Sequence, residues 1–559
     1  MLFRPTRPVL AVMRDAVQPG PGPHPPWLHP GRPAREDSVL PFLLERNARE
    51  SPDRVQFQFA DGVIWTCAQT LDNTRRVAAF LQGQGVARGD FVIAWLPNGP
   101  EMLRAWFGIN YLGAVFIPIN VDYRGSILQH AIVESSASTL ILHPQLAERL
   151  EQVKKLPLRR AFSVGGPAPR LNKHTLDIVE TDLLGDGERI ERPADVNAWD
   201  LQMIIFTSGT TGPSKGVMCP YLHMYATGQA TYGYMTPQDC VLVELPAFHV
   251  GGVAPVMAGL ANRSRIAVYG GFSTEAFWQR VRECGATTTS GLIGSMASFL
   301  EKLPPQEGEA EHKLRMITLM LNQQAINVAR RYGFSYISGF NMTELSGPLI
   351  TEVDCPVPGS LGRPRTGCEC RVLDEHDYEC GPDEIGELAV RPNQPWTMST
   401  GYLNRPEASA AAWRNGWFHT GDLVRRDADG NYFFVDRKKD AVRRRGENVS
   451  SIEVESEVLG FEGVAEAAVV GIACEHGDEE ILVAVVPREG CSIDPRALTE
   501  HLIPRLPHYM VPRYIRIVGE LPRTPTNKVR KIAIRQAGVT GDTWDREAAN
   551  LRLRRTQFT

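Results

Sequence analysis

Apolar residues fall along the chain in short runs separated by longer amphipathic stretches. Residues 91–96 form an apolar run of strand length, 101–112 space their apolar positions as a helix does, and 115–119 return to strand. Buried strands separated by helices predict a parallel sheet covered on both faces. A further apolar run, 203–206, leads straight into a stretch of Gly, Ser and Thr. Upstream, Val39, Phe42 and Leu43 with their flanking acids fit a helix, so the folded part is expected to begin near Asp37. Past residue 440 the texture changes. Strands at 467–472, 481–486 and 514–518 alternate with a helix over 495–503, the pattern of a compact α+β domain of about 100 residues. The expected organisation is an extension over 1–36, a large N-terminal α/β domain of layered sheets and helices over 37–436, a small α+β domain over 437–541 and a tail over 542–559.

Composition fills in the ends and excludes several function classes. Nine of the 41 prolines lie between Pro5 and Pro33, in a stretch with no apolar period. Such a segment cannot bury enough surface to offset its ordering entropy, which predicts a disordered extension. The polar, Arg-rich residues 542–559 are expected to fray. With 60 basic against 64 acidic residues, the net charge carries no nucleic-acid footprint. No apolar run approaches the ~18 residues that span a bilayer, and Arg4, Pro5, Arg7 and Pro8 spoil the start as a signal peptide. Ten scattered cysteines suggest reduced thiols and a cytoplasmic setting. The closest pair, Cys368-Glu369-Cys370, lacks a second pair to complete a zinc spacing.

The most informative stretch is Thr207-Ser208-Gly209-Thr210-Thr211-Gly212-Pro213-Ser214-Lys215-Gly216. Its glycines let the backbone approach a polyanion, its hydroxyls and amides supply donors, and Lys215 adds a point charge for outer phosphates. The spacing is not that of a Walker A loop. A mere flexible surface loop would not combine these residues directly after a buried strand.

Five further segments follow in order: Pro246-Ala247-Phe248-His249; Phe340-Asn341-Met342-Thr343-Glu344; Gly386-Glu387; Trp417-Phe418-His419-Thr420-Gly421-Asp422; and Arg437 through Asn448. Pro522-Arg523-Thr524-Pro525-Thr526-Asn527-Lys528 closes the series. In these motifs the chain resembles the adenylate-forming superfamily of acyl- and aryl-CoA synthetases, nonribosomal peptide adenylation domains and luciferases, over roughly residues 38–540. Pro246 to His249, Phe277-Trp278 and Gly446-Glu447-Asn448-Val449-Ser450 look most like the crotonobetaine/carnitine–CoA ligase type.

The resemblance implies an ATP-dependent, AMP-forming acyl-CoA ligase. A small carboxylic acid is joined to the α-phosphorus of ATP, pyrophosphate leaves, and the acyl group passes to CoA as co-substrate. It also implies roles. Lys528 contacts both the carboxylate and the nucleotide oxygens during adenylation. Thr207, Ser208, Gly209, Thr210, Thr211, Gly212 and Lys215 cradle the phosphates. Glu344 holds Mg²⁺, a hard ion that prefers carboxylate oxygen, and Thr343 donates to the α-phosphate. Phe340 stacks on adenine, against the plainer reading of a core Phe. Asp422 accepts from both ribose hydroxyls, as a carboxylate can, and Arg437 assists there. His249 gates the acid site. Lys439 is the hinge about which the small domain rotates, bringing Gly446 and Glu447 in to form the CoA tunnel. The run Arg443-Arg444-Arg445 reads either as a contact for CoA phosphates or as a solvated basic face. With no carrier domain after residue 541, the acceptor is expected to diffuse in.

Three positions depart from the family pattern. Leu321-Asn322-Gln323-Gln324-Ala325 replaces a glycine-rich segment along the adenine. Asn341 stands for a Gly and would narrow the acyl pocket. Asn527 stands for another Gly, and Asn tolerates the left-handed turn that glycine favours. Walls of the acid pocket are expected from 248–253, 290–295 and 338–342. Two alternatives stay open from sequence: an adenylate-former with an amine or nitrite as acceptor, and a nucleotide-binding pseudoenzyme. Keeping Lys215, Glu344, Asp422 and Lys528 together argues against the second. Oligomeric state, a homodimer included, and the identity of the acid are left open.

Overall fold

The computed structural model describes residues 33–154, 156–207, 214–292, 296–437, 441–444, 447–474, 479–523 and 529–553. The expected architecture holds, a large α/β domain followed by a small α+β one. At the centre of the large domain is a seven-stranded sheet, ordered Ile178–Glu180, Arg160–Ser163, Thr139–Leu142, Phe91–Trp95, Val115–Pro118, Leu201–Thr207, Lys215–Pro220. Every pairing is parallel except the last, where Leu201–Thr207 and Lys215–Pro220 form an antiparallel hairpin. Side chains alternate across a strand. Val92 and Ala94 therefore enter one core cluster while Ile93 and Trp95 enter another. Both faces are covered, which is why these strands read as continuous apolar runs.

A second, five-stranded sheet combines Val55–Phe59 and Ile64–Thr66 with Cys240–Val243, Arg265–Val268 and Thr288–Thr289. The third sheet is antiparallel, built between Gly339 and Arg437. Its strand Tyr432–Arg437 runs one residue past the expected domain boundary, because Arg437 pairs with Asp422.

The small domain opens with the hairpin Ala441–Arg444 and Glu447–Ser450, then packs helices on a four-stranded sheet. That sheet has two distinct faces. Val469, Val483 and Val485 join a cluster that continues through Tyr509 to Tyr123 and Ile117 of the large domain. Ala468, Val470, Leu482 and Ala484 face the other way, onto Leu521 and Ile534.

The extension expected over 1–36 lies outside the described residues up to 32, and a helix already starts at Arg35. The expected tail is corrected. Trp544–Asp545 adds a strand beside Tyr514–Ile517, and Arg513 pairs with Asp545 at 3.0 Å. Arg546 is buried, donating to Leu551 O at 2.7 Å and to Pro512 O at 3.3 Å. Arginines that find an acceptor for each N–H can be buried, and composition alone does not show that. The subfamily cue Phe277-Trp278 is core packing: Trp278 stacks on Tyr332 with ring centroids 3.9 Å apart. Cys368 and Cys370 are buried thiols, and no group of three or more metal-binding side chains occurs among the described residues. Among these residues no helix is long and apolar enough to cross a membrane.

Candidate active site

The phosphate-loop stretch is the connection of the antiparallel hairpin that ends the central sheet. Thr207 and Lys215 are cross-strand partners, and Thr207 Oγ1 donates to Lys215 O at 3.5 Å. Ser208, Gly209, Thr210, Thr211 and Gly212 lie outside the described residues. Gly216 follows because a Cβ there would come within 2.8 Å of Ile204 Cγ2. Lys215 projects its ammonium over the ring of Tyr402, 4.7 Å from the centroid. The Tyr402 hydroxyl in turn donates to Glu344 Oε1 at 2.8 Å.

Glu344 and Thr343 are buried in a tight turn after the strand Gly339–Phe340. Backbone bonds fix that turn. Ser399 N donates to Glu344 O at 3.0 Å, and His223 Nε2 donates to Leu345 O at 2.7 Å. Asn341, at a position where glycine is usual, accepts from Gly347 N at 2.8 Å. Its side chain is thus spent bracing the turn, an alternative to narrowing the acyl pocket that spacing does not reveal. Asn322 likewise caps the helix Gln323–Tyr332, accepting from Ala325 N at 2.8 Å. A buried carboxylate is an oxygen donor that a hard divalent ion prefers, so Glu344 fits Mg²⁺. Phe340 is half-buried at the edge of the third sheet's core cluster.

Asp422 and Arg437 are partners on the third sheet and form a second group. Asp422 is buried beyond Gly421, whose φ of +76° is a conformation that favours glycine. Glu387 sets this strand in place. Its Oε1 accepts from Gly421 N at 3.0 Å, and its Oε2 accepts from His419 Nδ1 at 3.3 Å and from Arg414 Nη2 at 3.2 Å. This is the structural content of the Gly386-Glu387 motif. Glu387→Ala removes the acceptor of the buried His419 ring and of the Gly421 amide, a loss worth about 1–3 kcal/mol of stability. The denaturant midpoint should fall, and the KM for ATP should rise as Asp422 shifts. An unchanged KM would detach Glu387 from the nucleotide site.

The third group joins the two domains. His249 N-caps the helix Val250–Asn262 through its carbonyl, and its ring Nε2 donates to Glu447 Oε2 at 2.7 Å. Burial opposes the charged imidazole, but the Glu447 carboxylate outweighs it and raises the His249 pKa above its usual value. Nearby, Ser214 at the end of the phosphate hairpin is held from both sides. His130 Nε2 donates to Ser214 O at 2.7 Å, and Ser214 N donates to Glu453 Oε1 of the small domain at 2.9 Å. Burial raises the Glu453 carboxyl to about 7, with the Ser214 amide pulling the other way.

Lys528, Lys439 and Gly446 lie outside the described residues. The segment bearing Lys528 is pinned at its ends: Arg523 and Val529 pair, and Arg530 N donates to Pro522 O at 2.7 Å. Val529 packs with Leu521 and Ile534, on the small sheet's face turned away from the shared cluster. Arg444 matches neither reading of the arginine run. It is buried, donating to Tyr509 O at 3.0 Å and Val511 O at 2.9 Å and pairing with Glu480 at 2.7 Å, a brace inside the small domain. Tyr402 and Glu453 were not anticipated. The signal for Tyr402 was Gly401 before an aromatic, whereas Glu453 is one acid among many in helical spacing.

The family model of AMP-binding enzymes matches residues 44–403, and that of the AMP-binding enzyme C-terminal domain matches 453–528. A crotonobetaine/carnitine–CoA ligase of Salmonella arizonae is 29% identical over 480 residues, covering 82% of this chain and 90% of the relative. Among solved structures, a double mutant of the o-succinylbenzoate CoA synthetase of Bacillus subtilis, bound to a product analogue, superposes with a TM-score of 0.75. It is 24% identical and covers 88% of this chain and 98% of its own. An amide bond synthetase from Marinactinospora thermotolerans gives a TM-score of 0.74 at 22% identity, covering 89% and 99%.

Proposed function

The chain belongs to the AMP-binding enzyme family, and from that premise we propose that it is an ATP-dependent acyl-CoA ligase working in two half reactions on opposite faces of its small domain. In the first, a carboxylate oxygen attacks the α-phosphorus of ATP and the bond to the β-phosphate oxygen breaks, releasing pyrophosphate. Two anions must meet, so the site supplies fixed positive charge and alignment. Lys215 at the hairpin mouth serves the outer phosphates, Asp422 with Arg437 the ribose, and Phe340 the adenine. Thr343 donates at the α-phosphate and Lys528 reaches both reactants. A Mg²⁺ ion held by Glu344 would offset the triphosphate charge. In the second half reaction the CoA sulfur attacks the acyl carbon, the bond to AMP breaks, and the thioester leaves.

The observation that carries this reading is the 2.7 Å contact between His249 and Glu447. It sets the small domain's hairpin against the large domain's gate residue, while Val529, next to Lys528, packs on the opposite face of the small sheet. That arrangement suits thioester formation and leaves adenylation to a second orientation, reached by rotation.

The test is pyrophosphate release over a library of carboxylic acids with ATP and Mg²⁺, run in parallel with CoA, hydroxylamine or nitrite, with products read by mass spectrometry. An acyl-CoA product with CoA is expected. Pyrophosphate release that needs nitrite or an amine, with no thioester from any acid, would replace CoA by that acceptor.

A further inference from the structure

Tyr402 has no part in the scheme above, yet it touches two of its charged groups. Its hydroxyl donates to Glu344 Oε1 at 2.8 Å, and its ring lies under the Lys215 ammonium at 4.7 Å. Tyr402 is buried. Its backbone is as firmly set as its side chain. Tyr402 N donates to Ser409 Oγ at 2.9 Å, Leu403 N to Gly216 O at 2.8 Å, Thr400 N to Met218 O at 3.0 Å, and Met218 N to Gly401 O at 3.0 Å. Residues 400–403 therefore lie antiparallel along Lys215–Pro220, with Tyr402 and Val217 as bridge partners. Gly401 permits the crossing: its φ is +126°, and a Cβ there would stand 2.9 Å from Ser409 Oγ. The tyrosine is thus anchored to the strand whose first residue is Lys215, and it reaches from there to the turn that bears Glu344.

We propose that Tyr402 is a positioning residue for adenylation, one that orients the Glu344 carboxylate for its divalent cation and holds the Lys215 ammonium for the phosphates. The two contacts differ in kind. The hydroxyl fixes one carboxylate oxygen and with it the plane in which the other is offered. The ring face holds the ammonium by a cation–π contact that can persist with a phosphate bound, because the ammonium has N–H donors to spare. The inference rests on the assignment of Glu344 to the metal.

Two variants separate the contacts. Tyr402→Phe deletes the hydroxyl and keeps the ring, and Tyr402→Leu deletes both. Calorimetry of ATP binding with and without Mg²⁺, and of Mg²⁺ binding to the enzyme–ATP complex, reads the two directly. In Tyr402→Phe the Mg²⁺ dissociation constant should rise about tenfold, the usual weight of a hydrogen bond to a carboxylate. Metal-free ATP affinity should stay within about twofold. Tyr402→Leu should show the same metal defect and also weaken metal-free ATP binding by about threefold. The Mg²⁺ concentration for half-maximal pyrophosphate release should move in parallel. Glu344→Gln is the control. If it weakens Mg²⁺ binding while Tyr402→Phe does not, the inference is overturned and the metal assignment stands. If Glu344→Gln binds Mg²⁺ as the wild type does, both fall. A merely structural tyrosine would lower the melting temperature in both variants and leave the metal constant unmoved.

Discussion

Lys528→Ala is expected to slow pyrophosphate release by about 10²–10³, the usual cost of removing a charge that meets the transition state in acyl and phosphoryl chemistry. The variant should fold and bind ATP, because the phosphate hairpin, Glu344 and the Asp422 strand all belong to the large domain. Thioester formation from pre-made acyl-adenylate and CoA should survive far better. The reason is geometric. Val529, next to Lys528, packs with Leu521 and Ile534, while the opposite face of the same sheet joins the cluster shared with the large domain. A lysine needed only in the other orientation is spared in the second step. Equal loss in both half reactions would show that Lys528 does not belong to the first step alone.

Lys439→Pro should have the opposite signature: near-normal pyrophosphate release from the first turnover and collapse of thioester production. The last strand of the large domain ends at Arg437 and the small domain's hairpin begins at Ala441, and the expected hinge Lys439 falls between them. A rotation concentrated in so short a link is absorbed by a few backbone dihedrals. Proline fixes φ at one of them. The contacts that would be missed are specific, among them His249 with Glu447, Asn120 Nδ2 donating to Tyr509 Oη at 3.1 Å, and Ser214 N donating to Glu453. Rapid-quench separation of the two half reactions reads the outcome. A variant that makes thioester at the wild-type rate would refute rotation about this link.

The sequence by itself determined the fold class, the covered parallel sheet and the family resemblance. These are local properties. The run of residues 91–96 is apolar at every position because its strand is buried on both faces. The glycines and hydroxyls after Thr207 are informative because backbone approach to phosphates demands those residue types in one stretch. Contacts made across long sequence separations left no such trace. Gly386-Glu387 reads as a motif without a partner, and only the third sheet's register brings Gly421 and His419 to Glu387. Arg444 sits in a run that looks solvated, and only the packing of the small domain supplies the carbonyls of Tyr509 and Val511. Arg546, in a stretch polar enough to suggest a tail, is buried for the same reason. The link from Lys215 through Tyr402 to Glu344 joins three distant segments, and the contact of His249 with Glu447 depends on how one domain lies against the other. Periodicity and residue type reflect each residue's own burial and backbone. Which partner completes a buried charge is decided by sheet register and domain docking, and those belong to the tertiary structure alone.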